Sequence, residues 1–161
     1  FMNNIAVTAG GAVFLESSAQ LDRNVFVGNA AQGTKHGGGA IFVHNRIIGG
    51  GPSLSRCTFT NNVALAAGGA VFLHFSTRLY GNMFVGNMAQ GAGGGVFVDF
   101  GISGDGPSLS NCTFTNNTAV GGGAVFLVSP ARLEGNIFVS NVAQAAYSGG
   151  GAVFVDGGIT G

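Results

Sequence analysis

The chain has 161 residues, of which 7% are charged and 46% hydrophobic, and six basic residues balance six acidic ones. This combination excludes intrinsic disorder and provides no positive field that would attract nucleic acid. The apolar runs are much shorter than the roughly 18 residues of a transmembrane helix, so no transmembrane segment is expected.

The first repeated element is Phe-x-x-Asn-x-Ala, which begins at Phe1 and recurs along the whole chain. Short runs of Val, Phe, Ile and Thr surround it, as is typical of β-strands. Its phenylalanines are expected to stack in an interior column, and its asparagine amides to bond to those of the adjacent coils. The residues of this structural ladder are Phe26, Phe59, Phe84, Phe114 and Phe138, with Asn29, Asn62, Asn87, Asn117 and Asn141.

The second element is Gly-Gly-Ala-Val/Ile-Phe, which alternates with the first without exception. Its copies begin at Gly10, Gly38, Gly68, Gly93, Gly122 and Gly150, and the copy at Gly93 has Gly in place of Ala. The paired glycines indicate a corner where any Cβ would crowd the neighbouring coil.

The spacing of the two elements predicts the fold. Successive phenylalanines of the first element lie 24 to 33 residues apart, and no segment has the length or period of a helix. Short strands at a regular period predict an all-β, right-handed parallel β-helix of about six coils. Residues 1–161 are interpreted as a single segment of this β-helix, part of a longer array that continues beyond both ends.

Every second coil is longer. From the phenylalanine of the glycine motif to the next repeated leucine is alternately seven and twelve residues, and the longer loops are 45–53 and 101–108. The true repeat is therefore a two-coil unit of about 55 residues, which the spacing of Cys57 and Cys112 repeats. Two coils span about 9.6 Å, beyond the roughly 7 Å limit for a disulfide, so buried free thiols are predicted. Bonding to a partner outside the segment is the alternative.

A mostly polar column lies two residues after each phenylalanine of the glycine motif. It consists of Glu16, His44, His74, Asp99, Val128 and Asp156. The first four could approach one another on adjacent coils, as ligands of a divalent metal or as an acid/base group acting on a carbohydrate. Val128 favours the other interpretation, an exposed strand end that tolerates any polar residue. No metal, cofactor or catalytic residue is therefore expected, and His36 is expected to be solvated.

This column leaves the direction of the glycine-motif phenylalanines open. Phe14 and Glu16 should face the same side of a regular strand. Either the chain turns between them and leaves Phe14 inside, or the strand is straight and these phenylalanines form an exposed apolar ladder suited to lateral assembly. The turn is the favoured expectation.

The motifs resemble the repeat of the polymorphic outer-membrane proteins, in which Gly-Gly-Ala-Ile is followed by Phe-x-x-Asn. Residues 38–41 match in full, four copies have Val for Ile, and one has Gly for Ala. The resemblance covers the whole chain and implies a β-helix displayed at the cell surface or outside the cell as an adhesin. The strict two-coil period is a departure from that family.

Three functions follow. The first is a non-catalytic structural repeat of an extracellular fibre or surface adhesin, because low charge and apolar positions on alternate coils suit self-assembly or packing against neighbouring repeats. The second is a carbohydrate-binding or carbohydrate-cleaving β-helix. The third is an ice- or mineral-binding face, which would need Thr on every coil. Glycosylation sequons at Asn111 and Asn116 are as many as chance provides, so glycan attachment stays open.

Overall fold

The computed structural model describes residues 1–47, 50–102, 106–145 and 149–156. Within these ranges the chain forms short strands of two or three residues and no helix. The strands build four parallel sheets, each containing one strand from every coil that it crosses. We name the sheets by the residue or motif that repeats in them.

The alanine sheet contains Ile5–Ala6, Ala30–Ala31, Val63–Ala64, Met88–Ala89, Thr118–Ala119 and Val142–Ala143. The glycine-motif sheet contains Val13–Leu15, Ile41–Val43, Val71–Leu73, Val96–Val98, Val125–Leu127 and Val153–Val155. The leucine sheet contains Gln20–Asp22, Ser53–Ser55, Arg78–Tyr80, Ser108–Ser110 and Arg132–Glu134. The phenylalanine sheet contains Val25–Val27, Thr58–Thr60, Met83–Val85, Thr113–Thr115 and Ile137–Val139.

The register places each residue beside its counterpart in the next coil. Phe26 pairs with Phe59, and Leu21 pairs with Leu54. Two sheets have six strands and two have five, so the chain makes about five turns, close to the six coils predicted. The architecture is the predicted right-handed parallel β-helix. Parts of both longer loops (48–49 and 103–105) and residues 157–161 lie outside the described residues.

The interior contains the first phenylalanine column. The rings of Phe26, Phe59, Phe84 and Phe114 are fully buried. Adjacent rings are nearly parallel, with centroids 4.6 Å apart between Phe84 and Phe114 and 4.9 Å apart between Phe26 and Phe59. Burial of each such ring contributes about 1.5–3 kcal/mol, so this column is a main source of stability.

Beside these rings runs the asparagine ladder. The Nδ2 atom of Asn62 donates to Oδ1 of Asn87 at 2.9 Å, and Nδ2 of Asn87 donates to Oδ1 of Asn117 at the same distance. Nδ2 of Asn87 also donates to the carbonyl oxygen of Phe59 at 3.0 Å. Each buried amide is thus satisfied by the coils on both sides, which is the condition for placing a polar row in an apolar interior.

The two glycines of each glycine motif differ in what they do. Gly68 has a φ of +65°, a conformation that residues with a Cβ adopt rarely. Gly69 lies so close to the next coil that a Cβ there would be 2.1 Å from the carbonyl oxygen of Gly94. The first glycine makes the turn, and the second allows the coils to approach.

Candidate functional site

The glycine-motif strands run straight through their phenylalanine, so the prediction of a turn directly after it is wrong. Ile41 and Val43 pack in the main core, whereas Phe42 lies between them in a separate cluster with Phe72 and Ala67. Successive residues of a strand point to opposite faces, so Phe42 points away from the interior. The phenylalanines of this motif therefore form an outer ladder, comprising Phe14, Phe42, Phe72, Phe97, Phe126 and Phe154.

The outer ladder is partly covered rather than open to solvent. Phe14 is 46% exposed, but Phe42 and Phe72 are only 1% and 3% exposed. Neighbouring rings are stacked with centroids 4.9 Å apart between Phe14 and Phe42 and 5.2 Å apart between Phe42 and Phe72. The alternative prediction of an exposed apolar ladder is therefore right about its outward direction but not about its exposure, because other side chains cover its middle.

Three histidines form much of that cover. The rings of His36 and His74 lie edge-on to Phe42, with centroids 5.5 Å and 5.6 Å from it, and the His44 ring is 5.9 Å away. The His74 ring is 5.5 Å from His36 and 6.4 Å from His44. We call His36, His44, His74 and the adjoining Asp99 the histidine cluster.

The members of the histidine cluster differ in how fully their side chains are hydrogen-bonded. His74 Nε2 contacts Oδ2 of Asp99, a buried carboxylate whose Oδ1 accepts from the backbone N–H of Phe100 at 2.8 Å. His44 Nδ1 accepts from the backbone N–H of Arg46 at 3.1 Å. His74 Nδ1 is buried and has no hydrogen-bond partner within the described part of the chain. Asp99 therefore orients the His74 ring from one side only.

The structure brings together only part of the column predicted from the sequence. His44, His74 and Asp99 lie in the cluster, but Glu16 is exposed at one end and makes no hydrogen bond or ion pair in the described ranges. Glu16 and Asp99 lie three coils apart, about 14 Å, which exceeds the roughly 9.5 Å upper limit for paired carboxylates in glycosidases. Among the described residues no group of three or more His, Cys, Asp or Glu side chains is placed to hold a metal ion.

His36 is the member that the sequence interpretation missed. It is exposed, as expected, but it also contacts the aromatic ladder. Burial, followed by the nearby His74, lowers the pKa of its imidazole below 6.5, His44 and Lys35 act in the same direction, and Asp99 opposes them. The signal that could have indicated the role of His36 is the length of its loop. Six residues separate Ala31 from Gly38, whereas three separate Ala64 from Gly68.

The cysteines lie beneath the corner between the leucine and phenylalanine sheets. Cys57 and Cys112 are buried and form no disulfide with each other, as predicted from their two-coil spacing. Burial raises the pKa of both thiols, so they stay protonated. Oδ1 of Asn82 accepts from the backbone N–H of Cys57 at 2.8 Å, which places this asparagine between the two cysteines in a second ladder.

We call the outward sides of the phenylalanine and alanine sheets together the apolar face. Its side chains on the phenylalanine sheet are Val25, Val27, Thr58, Thr60, Met83, Val85, Thr113, Thr115, Ile137 and Val139, and on the alanine sheet Ile5, Ala30, Val63, Met88, Thr118 and Val142. None of them is charged. Val25, Met83 and Ile137 are 51%, 49% and 57% exposed, and threonines alternate with them.

The two sequon asparagines lie at exposed corners. Asn111 and Asn116 have φ values of +53° and +55°, and both side chains are exposed. Accessibility is necessary for glycan attachment, but it is shared by many other surface residues here.

Comparison with known proteins bears on the fold. The family model for the right handed beta helix region matches residues 1–159. No curated protein and no solved structure matches the chain. Among the described residues there is no helix long and apolar enough to cross a membrane.

Proposed function

The chain belongs to the right-handed β-helix family, and we propose that it is a non-catalytic structural repeat of an extracellular fibre or surface adhesin. Within such an assembly, the apolar face would pack against a second copy of the chain or a neighbouring repeat. The observation that carries this proposal is the absence of charge from that face, because burying it strands no ionised side chain away from water.

The energetics favour covering the face. Large aliphatic side chains at Val25, Met83 and Ile137 are about half exposed. Apolar area removed from water contributes about 25 cal/mol per Å², and large contiguous apolar patches commonly mark interaction sites.

The alternation of side chains along the face favours a second copy as the partner. Met83 stands between Thr58 and Thr113 in the sheet register. A copy displaced by one coil would therefore place its large side chains opposite threonines and its threonines opposite large side chains. This complementarity follows from the two-coil repeat, and it would set the register of assembly.

The composition of the histidine cluster supports a non-catalytic role. Asp99 is its only carboxylate, whereas hydrolysis of a glycosidic bond ordinarily uses a pair. The ice- or mineral-binding alternative is not proposed, because Met83 and Val85 interrupt the threonine rows.

Sedimentation velocity over a range of protein concentrations, with electron microscopy of the same samples, tests the assembly. The variant Met83→Lys/Ile137→Lys places two charges on the apolar face and is expected to reduce association of the chain at least tenfold. The matched control Ser55→Lys/Ser110→Lys places the same charges on the leucine sheet and should associate as the unmodified chain does.

Equal association of the unmodified chain and the Met83/Ile137 variant would contradict the proposed packing. End-to-end stacking of coils would persist in both variants, so it is distinguishable from packing through the face. The proposed location is tested separately with antibodies against the chain on intact cells, where labelling only after permeabilisation would contradict it.

A further inference from the structure

All three methionines of the chain lie on its surface. Met83 and Met88 belong to the apolar face, one on the phenylalanine sheet and one on the alanine sheet of the same coil, and both are exposed. Met2, which is also exposed, is bridged to Val27 of that face at the first coil. The interior is filled instead by Phe, Leu, Val, Ile, Ala and Cys. The methionine thioether groups are therefore open to solvent in the free chain.

The other sulfur atoms of the chain are protected. Cys57 and Cys112 are buried, and burial raises the pKa of both thiols. Peroxides react with the thiolate rather than with the thiol, so these cysteines react slowly in the folded chain. A thioether needs no deprotonation, because its sulfur lone pair attacks the peroxide directly. The methionines are thus the sulfur groups that a mild oxidant reaches first.

We propose that Met83 and Met88 are oxidation sites through which a peroxide controls packing of the apolar face. This inference rests on the packing proposed above. Each thioether sulfur takes one oxygen atom from hydrogen peroxide and becomes a sulfoxide, while the peroxide is reduced to water and no proton is released. The sulfoxide is polar and larger than the thioether, so burying it against a second copy loses the apolar contact and disturbs the fit.

The fold itself accommodates the added oxygen. Met83 pairs with Thr58 and Thr113 on the coils on either side. Met88 pairs with Thr118 on the following coil. Side chains on adjacent coils are about 4.8 Å apart, so threonine hydroxyls can donate to a sulfoxide oxygen. Because both methionines are exposed, oxidation leaves the core packing unchanged and buries no unsatisfied polar group within the chain.

The test compares the unmodified chain before and after treatment with dilute hydrogen peroxide. Mass spectrometry of proteolytic fragments should find an added oxygen atom on Met83 and Met88, while Cys57 and Cys112 stay unmodified. Sedimentation velocity should show association weakened at least tenfold, with an unchanged circular dichroism spectrum and melting temperature. Reduction with methionine sulfoxide reductases of both stereochemical specificities should restore association.

The variant Met83→Leu/Met88→Leu removes both oxidation sites. Leucine keeps the face apolar, so the variant still associates, and peroxide should leave its association as it was before treatment. The matched control Met2→Leu removes the third methionine. Peroxide should weaken the association of this control as much as that of the unmodified chain.

Three results would overturn the inference and leave the proposed packing standing. They are oxidation of Cys57 or Cys112 ahead of the methionines, unchanged association of the peroxide-treated chain, and an equal loss of association in the Met83/Met88 variant. Unfolding of the peroxide-treated chain would overturn it as well, because the loss of association would then have another cause. Absence of association in the untreated chain would contradict the proposed packing, and this inference with it.

Discussion

At the scale of single residues, two glycines show how differently a missing Cβ can matter. A Cβ on Gly69 would lie 2.1 Å from the carbonyl oxygen of Gly94, a backbone atom that the coil spacing holds in place. Gly86 has a φ of +63°, and its Cβ would meet the amide oxygen of Asn61 at 2.5 Å, which a side-chain rotation relieves. Gly69 is therefore constrained by packing and Gly86 mainly by its backbone conformation.

We expect Gly69→Ala to lower the free energy of unfolding by several kcal/mol, since coils must separate to admit the methyl group. Gly86→Ala should cost about 1–2 kcal/mol, the strain of a left-handed residue with a Cβ. Urea denaturation monitored by circular dichroism measures both. A similar loss in the two variants would show that close approach of coils at Gly69 is not limiting.

The sequence predicted these residues unevenly. Asn87 and Phe84 recur at one position in every coil, and a position that repeats must stack on itself in a solenoid, so both ladders were predictable. His36 has no counterpart in the adjoining coils. A repeat cannot place a residue that occurs in one coil alone, and only the structure shows that the His36 ring reaches Phe42.

At the scale of the element, the glycine-motif strands show a limit of hydrophobic patterning. The strand Ile41–Val43 is apolar at all three positions and buried at all three. Alternation between polar and apolar residues normally reports which side faces the core, and a strand covered on both sides lacks it. The direction of Phe42 could therefore not be read from the sequence, whereas the leucine strand Ser53–Ser55 shows the usual alternation.

The side chains that cover these strands include His36, so the stability of the folded chain should depend on pH. The folded-state pKa of His36 is below its ordinary value of 6.5, so the unfolded chain binds a proton there more readily. The contribution of the neutral His36 imidazole to the free energy of unfolding is complete above pH 6.5. It is lost as the pH falls through that value towards the lower folded-state pKa. Between pH 7.5 and pH 5.5, we expect the melting temperature of His36→Gln to fall by less than that of the unmodified chain.

Differential scanning calorimetry at the two pH values makes this comparison. Thr34→Gln, in the same loop, serves as the control and should keep the full pH dependence. If His36→Gln loses as much melting temperature as the control, protonation of His36 does not oppose the covered state.

At the scale of the whole molecule, the unit of construction is two coils rather than one. A Cβ on Gly51 would lie 1.7 Å from the carbonyl oxygen of Ser76, and one on Gly106 would lie 1.9 Å from that of Pro130. Each longer loop thus ends in close contact with the shorter loop of the following coil. Sequence spacing predicted the alternation, but not this contact.

Deletions test the unit. Removing residues 57–111, two coils, leaves Gly51 facing Pro130 in the manner of Gly106, so the shortened chain should melt cooperatively with a β-rich spectrum. Removing residues 57–81, one coil, brings two longer loops together and should lower the melting temperature by more, although fewer residues are lost. Thermal denaturation followed by circular dichroism compares them. A lower melting temperature for the two-coil deletion would contradict the two-coil unit.

The asparagine ladder also gives the molecule a direction. In the bonds between amides from Asn29 to Asn117, every Nδ2 donates to the asparagine of the coil that follows and every Oδ1 accepts from the asparagine of the coil that precedes. The amide dipoles are therefore aligned head to tail, and each tends to polarise the next. The row can be extended only by another segment in the same orientation, because opposed segments would confront donor with donor or acceptor with acceptor. A filament grown along this axis would be vectorial, with two chemically different tips.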